Sequence, residues 1–347
     1  MGIESVRASI PRRTLIETVR RKPLDESLLT FNNHEPLESD AVQLNNEFLY
    51  PHIGWSIQPH MSGTLQHQIQ FYFWQLEALL NANISFKKGL YLNTTYAINI
   101  DNNFENYTWH IPDGKLHHVR QDRRLYLTEG ESGLRQLTLD YLVNITPNIK
   151  AKMAMGYLEW MYGGLGGEIL YTPDHRRWSL GVDGYWVKQR DFDQKLGFQD
   201  YETFTGFVNF YYNLPFYNLR FATSYGKYLG KDKGFDIDIS RRFKTGARIG
   251  GRVALTDCDA ACVGEGSFTK AIYFELPVDL FYQKSSQRGK SGYSWSPLTK
   301  DAGAKIATGG LYELTTEMGN DLDTLKTPQW SIKKILAGFS TKPQNKI

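Results

Sequence analysis

The stretch Trp178-Ser-Leu180-Gly-Val182-Asp-Gly184-Tyr-Trp186 alternates large apolar side chains with small or polar ones. As a strand it presents one apolar face and one wet face, because successive side chains point to opposite sides. Four further runs behave alike. Leu137, Leu139, Tyr141, Val143 and Ile145 oppose Thr138, Asp140 and Asn144; Phe235, Ile237 and Ile239 oppose Asp236, Asp238 and Ser240. Ile249, Val253 and Leu255 oppose Arg248 and Arg252, while Ile272, Phe274 and Leu276 oppose Tyr273 and Glu275. These runs extend over about nine to twelve residues. Soluble strands have a mode near ~5–6, and a tilted strand that crosses a bilayer needs roughly 9–11. Run length therefore constrains the fold more than any other feature here.

The connections give a second signal. Phe86–Gly89, Thr146–Ile149, Thr172–Arg176, Asn213–Tyr217 and Phe243–Gly246 are short and carry Pro, Gly or Asn, the residues tight turns require. Interleaved with them, Asp101–Gly133, Gln189–Asp200 and Thr256–Ser267 are long and polar, whereas Met161–Gly164 and Leu229–Lys233 are brief. Tight turns at one end and longer loops at the other mark an up-and-down barrel. The expectation is an all-β, antiparallel, transmembrane β-barrel of about 14 strands, with 12–16 admissible, between residues 51 and 316. An even number leaves both chain ends on the short-turn, periplasmic side. Trp160, Tyr162, Trp178, Trp186, Tyr225 and Tyr228 fall near strand ends, where interfacial aromatic girdles sit. A soluble sandwich with an aromatic core would use the same residue types, so a soluble envelope β-protein that binds or modifies glycans stays as the alternative.

Composition agrees with this reading. Forty Lys and Arg against 37 Asp and Glu give a formal charge of +3, too balanced for a dedicated nucleic-acid binder. A mean hydropathy of −0.45 argues against a helical membrane protein. It is compatible with a membrane barrel, where a lumen residue alternates with each lipid-facing one.

Candidate chemistry is sparse. Asp236 and Asp238 share a strand face at roughly 7 Å, a separation at which an acid–base pair could work on a glycosidic bond. Inward charges of both signs are also the ordinary filling of a polar lumen, and Asp140, Glu168, Asp183 and Glu275 have Arg220, Arg242, Arg248 and Arg252 for partners. The latter reading is adopted and no enzymatic activity is expected. The histidines show no HExxH or triad spacing, no P-loop is present, and the glycines at 163–167 read as a tight loop or bulge. No cofactor is expected. Cys258 and Cys262, the two cysteines of the chain, lack nearby His for a zinc site and read as a loop disulfide or as two thiols. Trp186, Lys188, Gln189, Arg190, Asp191 and Asp193 combine aromatic and planar hydrogen-bonding groups. Sugars are held by such groups, so with Asp183, Asp236, Asp238, Arg248 and Arg252 they form the candidate polysaccharide contacts of loop and lumen.

Tyr157–Tyr171 (YLEWMYGGLGGEILY) and Trp178–Phe192 (WSLGVDGYWVKQRDF) resemble the C-terminal portion of the YjbH family of outer-membrane proteins in exopolysaccharide and capsule biosynthesis. The resemblance continues in order through Tyr228-Leu229 with Asp232 and Gly234, Ser240–Phe243 with Gly246, Gly264–Phe268, Trp295–Thr299 and Leu311–Leu314. At Lys300-Asp301-Ala302-Gly303 the chain departs from the Arg-Asp-Gly-Gly of the family. The resemblance implies a non-catalytic outer-membrane barrel of polysaccharide assembly or export. Its partners would be outer-membrane lipids, the exopolysaccharide, and lipoproteins or periplasmic proteins of the same secretion system, with no nucleic acid.

Three regions are expected. Residues 1–47 form an N-terminal periplasmic segment or linker with one short helix at Ser9–Val19, residues 48–317 the barrel, and 318–347 a tail with an amphipathic helix at Trp330–Phe339. Met1–Lys22 carries no apolar export core. The expected outer-membrane location therefore makes this chain a fragment or split product whose leader lies upstream.

Overall fold

The computed structural model describes residues 8–9, 30–31, 50–65, 71–106, 115–173, 176–243, 247–263, 268–277, 290–295 and 301–317. Thirteen strands form one sheet in strictly consecutive order. They are β1 His52–Leu65, β2 Tyr72–Lys87, β3 Leu90–Asn102, β4 Gly133–Thr146, β5 Ile149–Tyr157, β6 Tyr162–Tyr171 and β7 Trp178–Arg190. There follow β8 Phe198–Asn213, β9 Leu219–Lys227, β10 Lys233–Arg242, β11 Arg248–Thr256, β12 Thr269–Pro277 and β13 Lys290–Trp295. Every neighbouring pair is antiparallel. β1 and β13 are the edges among the described residues. Among the described residues three short α-helices, α1 Arg123–Thr128, α2 Ala260–Val263 and α3 Leu311–Glu317, and a 3-10 turn at Phe104–Asn106 accompany the sheet.

The polarity of the sheet is the inverse of a soluble sandwich. Val182 is 56% and Ile237 36% exposed, and Leu139, Met153, Leu165, Ile169, Val208, Phe235 and Ile249 share their outward face. On the opposite face of the same strands Thr138, Asp140, Lys152, Glu168, Ser179, Asn209, Ser224, Asp236 and Ser240 are buried. The sheet curls round this polar face into a barrel, since segments inside it pack on β2, β3 and β4 and bond to strands from β5 through β12. Tight turns close one end, as between β4 and β5, where Ile149 N–H donates to Thr146 Oγ1 at 3.0 Å.

Three local expectations are corrected. Gly163–Gly167 lie inside β6, not in a loop. A Cβ on Gly164 would stand 2.1 Å from the Trp186 carbonyl oxygen, so this run lets β6 and β7 approach closely. Residues 311–317, counted as the last strand, are helix α3. Ser9 sits in a two-residue ladder, Ala8–Ser9 with Thr30–Phe31, where a helix start was expected. The remainder of that helix and the tail helix at 330–339 lie outside the described residues.

Candidate functional site

Among the described residues two non-strand segments enter the barrel and pack on its inward faces. The first runs from Lys115 through α1 in the long β3–β4 connection. Its backbone is pinned by one carboxylate: Asp301 Oδ1 accepts the N–H groups of Val119, Arg120 and Gln121 at 3.0, 2.6 and 3.0 Å. Three successive amides converging on one oxygen hold the loop by charge-assisted hydrogen bonds. Arg120 then forks onto Glu159 at 2.6 and 3.1 Å and reaches the Lys305 carbonyl at 2.7 Å. His117 stacks on Tyr201 with ring centroids 3.7 Å apart.

The second segment, residues 301–312, threads the lumen lengthwise. It starts at the loop end, where Gly303 N–H donates to Asp232 Oδ2 at 2.8 Å and Arg252 donates to the Gly303 carbonyl at 2.9 Å. Lys305 then meets Ser224 of β9 and lies 3.6 Å from Asp236 of β10. Lys152 of β5 donates to the carbonyls of Thr308 and Gly309 at 2.6 and 2.8 Å. Glu168 of β6 accepts Leu311 N–H at 2.7 Å. At the turn end Leu311 and Tyr312 pack with Tyr91, Leu142 and Leu170, and Tyr312 stacks on Tyr211 at 3.8 Å. Gly303 adopts φ +71°, a left-handed conformation that favours glycine. Burial pushes the Asp301 and Asp232 carboxyls above their ordinary values, partly offset by the amides that donate to them.

This architecture redistributes the sequence-predicted residues. Trp186, 52% exposed, points outward beside Val182, and Lys188 shares its face of β7. Neither faces the lumen, so both leave the contact set: alternation puts even-numbered positions of β7 outside as far as Lys188 and breaks at its last residue, Arg190. Arg190 is 0% exposed and donates to the carbonyls of Leu134, Glu159, Trp160, Gln194 and Lys195 at 2.7–3.3 Å. Its Nη1 and Nη2 groups tie the start of β4 to the 158–161 and 191–197 loops, and it is a structural clasp. Gln189 bonds His117 at 2.7 Å and so anchors the first segment. Asp191 and Asp193 organise their own turn, where Asp191 N–H donates to the Gly197 carbonyl and Lys195 N–H to Asp193. Asp183, Asp236, Asp238, Arg248 and Arg252 do face inward. Asp183 accepts from Asn209 at 2.6 Å, Asp236 pairs with Arg252 at 2.6 Å, and Asp238 accepts from Tyr273 at 2.8 Å with Arg248 at 3.6 Å. Cys258 and Cys262 form a disulfide that ties α2 to the residues before it, and the Cys262 carbonyl accepts the N–H groups of Lys115 and Leu116. Among the described residues no group of three or more His, Cys, Asp or Glu could hold a metal ion.

Beside the filled part lies a cavity of about 330 Å³, bordered by β1–β4 and α1. Gln75, Glu77, Arg123, Arg135, Glu159 and Trp160 line it. Sequence reasoning passed over all six. Glu77 and Gln75 belong to β2, whose inward face carries few charges to attract notice, and Trp160 reads as a girdle residue.

The molecule is thus an all-β up-and-down barrel of inverted polarity, with a lumen threaded by its own chain. The chain belongs to the YjbH family, described as exopolysaccharide biosynthesis protein YbjH, which it matches over residues 2–317. It is 29% identical to the uncharacterised lipoprotein YjbH of Escherichia coli K12, over 91% of this chain and 48% of that one, and so spans about half the length of that relative. A loop-deletion variant of OmpT, an outer membrane protein of Vibrio cholerae, aligns loosely at TM-score 0.35 and 10% identity, over 72% of this chain and 95% of that one.

Proposed function

We propose that this chain is an outer-membrane β-barrel that takes part in exopolysaccharide or capsule assembly or export without itself acting on the polymer chemically. The observation that carries the reading is the pairing of an exposed apolar belt with a buried, ionised interior on the same strands. In water that arrangement would leave a large unpartnered apolar surface, whereas in lipid it places each residue type in its preferred medium. Family membership supplies the polymer. A non-catalytic role is favoured because Asp236 and Asp238, the best-spaced carboxylates, are each committed to a cation or a phenol. The occupied lumen favours a resting state that does not conduct, with partner lipoproteins or periplasmic proteins meeting the turn-end surface.

Fractionation tests the reading. The protein is expected in the outer membrane, extracted by detergent alone, with a gel mobility that shifts on boiling as closed barrels do, and its deletion is expected to lower surface polymer. Recovery in the soluble periplasm without detergent would instead favour a glycan-binding envelope protein.

A further inference from the structure

We infer that the cavity between β1–β4 and α1 is a saccharide site that takes a neutral, hydroxyl-rich stretch of polymer. The inference rests on the polymer-handling reading above and deepens it by assigning a place. Gln75 is 1% exposed, yet its Oε1 has no hydrogen-bond partner among the described residues. Its amide orientation is fixed, because Nε2 donates to Asn99 Oδ1 and the Glu131 carbonyl, both at 3.1 Å and both acceptors. A buried acceptor with no donor costs ~1–3 kcal/mol, so the site calls for an O–H or N–H from a ligand.

The rest of the lining specifies which kind. Glu77 is paired with Arg135 and with His60 at 3.1 Å, and Glu159 is forked onto Arg120. The carboxylates are thus balanced within the wall, and a ligand brings no need for charge of its own. Paired carboxylates and guanidiniums still have lone pairs and N–H groups for hydroxyls, which sugars offer in adjacent pairs. Trp160 supplies the aromatic surface on which sugar CH faces pack, and the Arg123 guanidinium lies 5.7 Å from its ring centroid. The volume is at the small end of ligand pockets, enough for a short piece of chain and not for a globular partner.

The test uses the full chain in detergent and oligomers of about six sugars released by mild acid from the producing strain's polymer. Saturation-transfer NMR and calorimetry read binding. Wild type is expected to bind, Gln75→Leu and Trp160→Ala about fivefold or more weakly, and Ser62→Phe, which fills the cavity from edge strand β1, not measurably. Trp186→Ala, on the outer face, is expected to bind as wild type. Unchanged heat-shifted mobility shows that each variant is folded. If the oligomers bind and the cavity variants bind equally well, the site is wrong while the polymer-handling reading stands. If no oligomer binds wild type, the inference fails, and fractionation with polymer yield decides the wider reading separately.

Discussion

Arg190 shows how far a side chain's type underdetermines its task. Beside Trp186 and two aspartates it reads as a sugar ligand, but five carbonyls surround its guanidinium in the folded barrel. A charge so buried is tolerated only when most of its donors are matched, and here both Nη groups find carbonyls on three chain segments. Arg190→Met is therefore expected to lower stability by on the order of 3 kcal/mol, read as a lower urea midpoint in detergent micelles. A shift within error of wild type would show the clasp to be incidental. Asp301 makes a second residue-scale prediction. Its Oδ1 accepts three successive N–H groups, so Asp301→Ala is expected to lower exchange protection of the Val119–Gln121 amides by about tenfold with the strand amides unchanged. Wild-type protection there would remove the carboxylate as the pin of the loop.

At the scale of elements, the strands were legible and the filling was not. Alternation over a whole strand registers two solvents, and that pattern placed Val182 and Ile237 outside with Asp183 and Asp236 inside. Residues 301–310 gave no such signal, since their contacts pass from the 119–121 loop to β9, β10, β5 and β6 and no period can accumulate. Leu311–Glu317 accordingly read as a strand although it is helical. Arg120 and Glu159 lie 39 positions apart and become partners only once the barrel curls. One local cue existed: Gly303 follows Asp301 and Ala302 outside any strand, and its φ of +71° with Ala254 Cβ 2.5 Å from a built Cβ explains the glycine. Gly303→Val should dislodge the upper end of the segment. The expected result is faster exchange over residues 301–312 with the strand amides unchanged; wild-type protection there would contradict the packing argument.

For the molecule as a whole, the lumen-threading segment resolves a parity problem. Up-and-down strands in odd number leave the chain ends on opposite sides, and thirteen are described. The segment's contacts run from Asp232 and Thr269 at the loop end to Tyr91, Leu142 and Leu170 at the turn end. The chain thereby returns to the short-turn end where β1 began, occupying the channel as it does so. The polar wall is thereby satisfied in part by the polypeptide that follows it, through Lys152, Glu168, Asp236 and Arg252, in keeping with the rule that buried charges need partners.

The most direct test places single fluorophores at positions 182, 237, 183 and 236 in liposomes that carry a quencher on the lipid tails. The account predicts strong quenching at 182 and 237 and little at 183 and 236. Quenching at 183 and 236, or equal protection of all four positions, would contradict it.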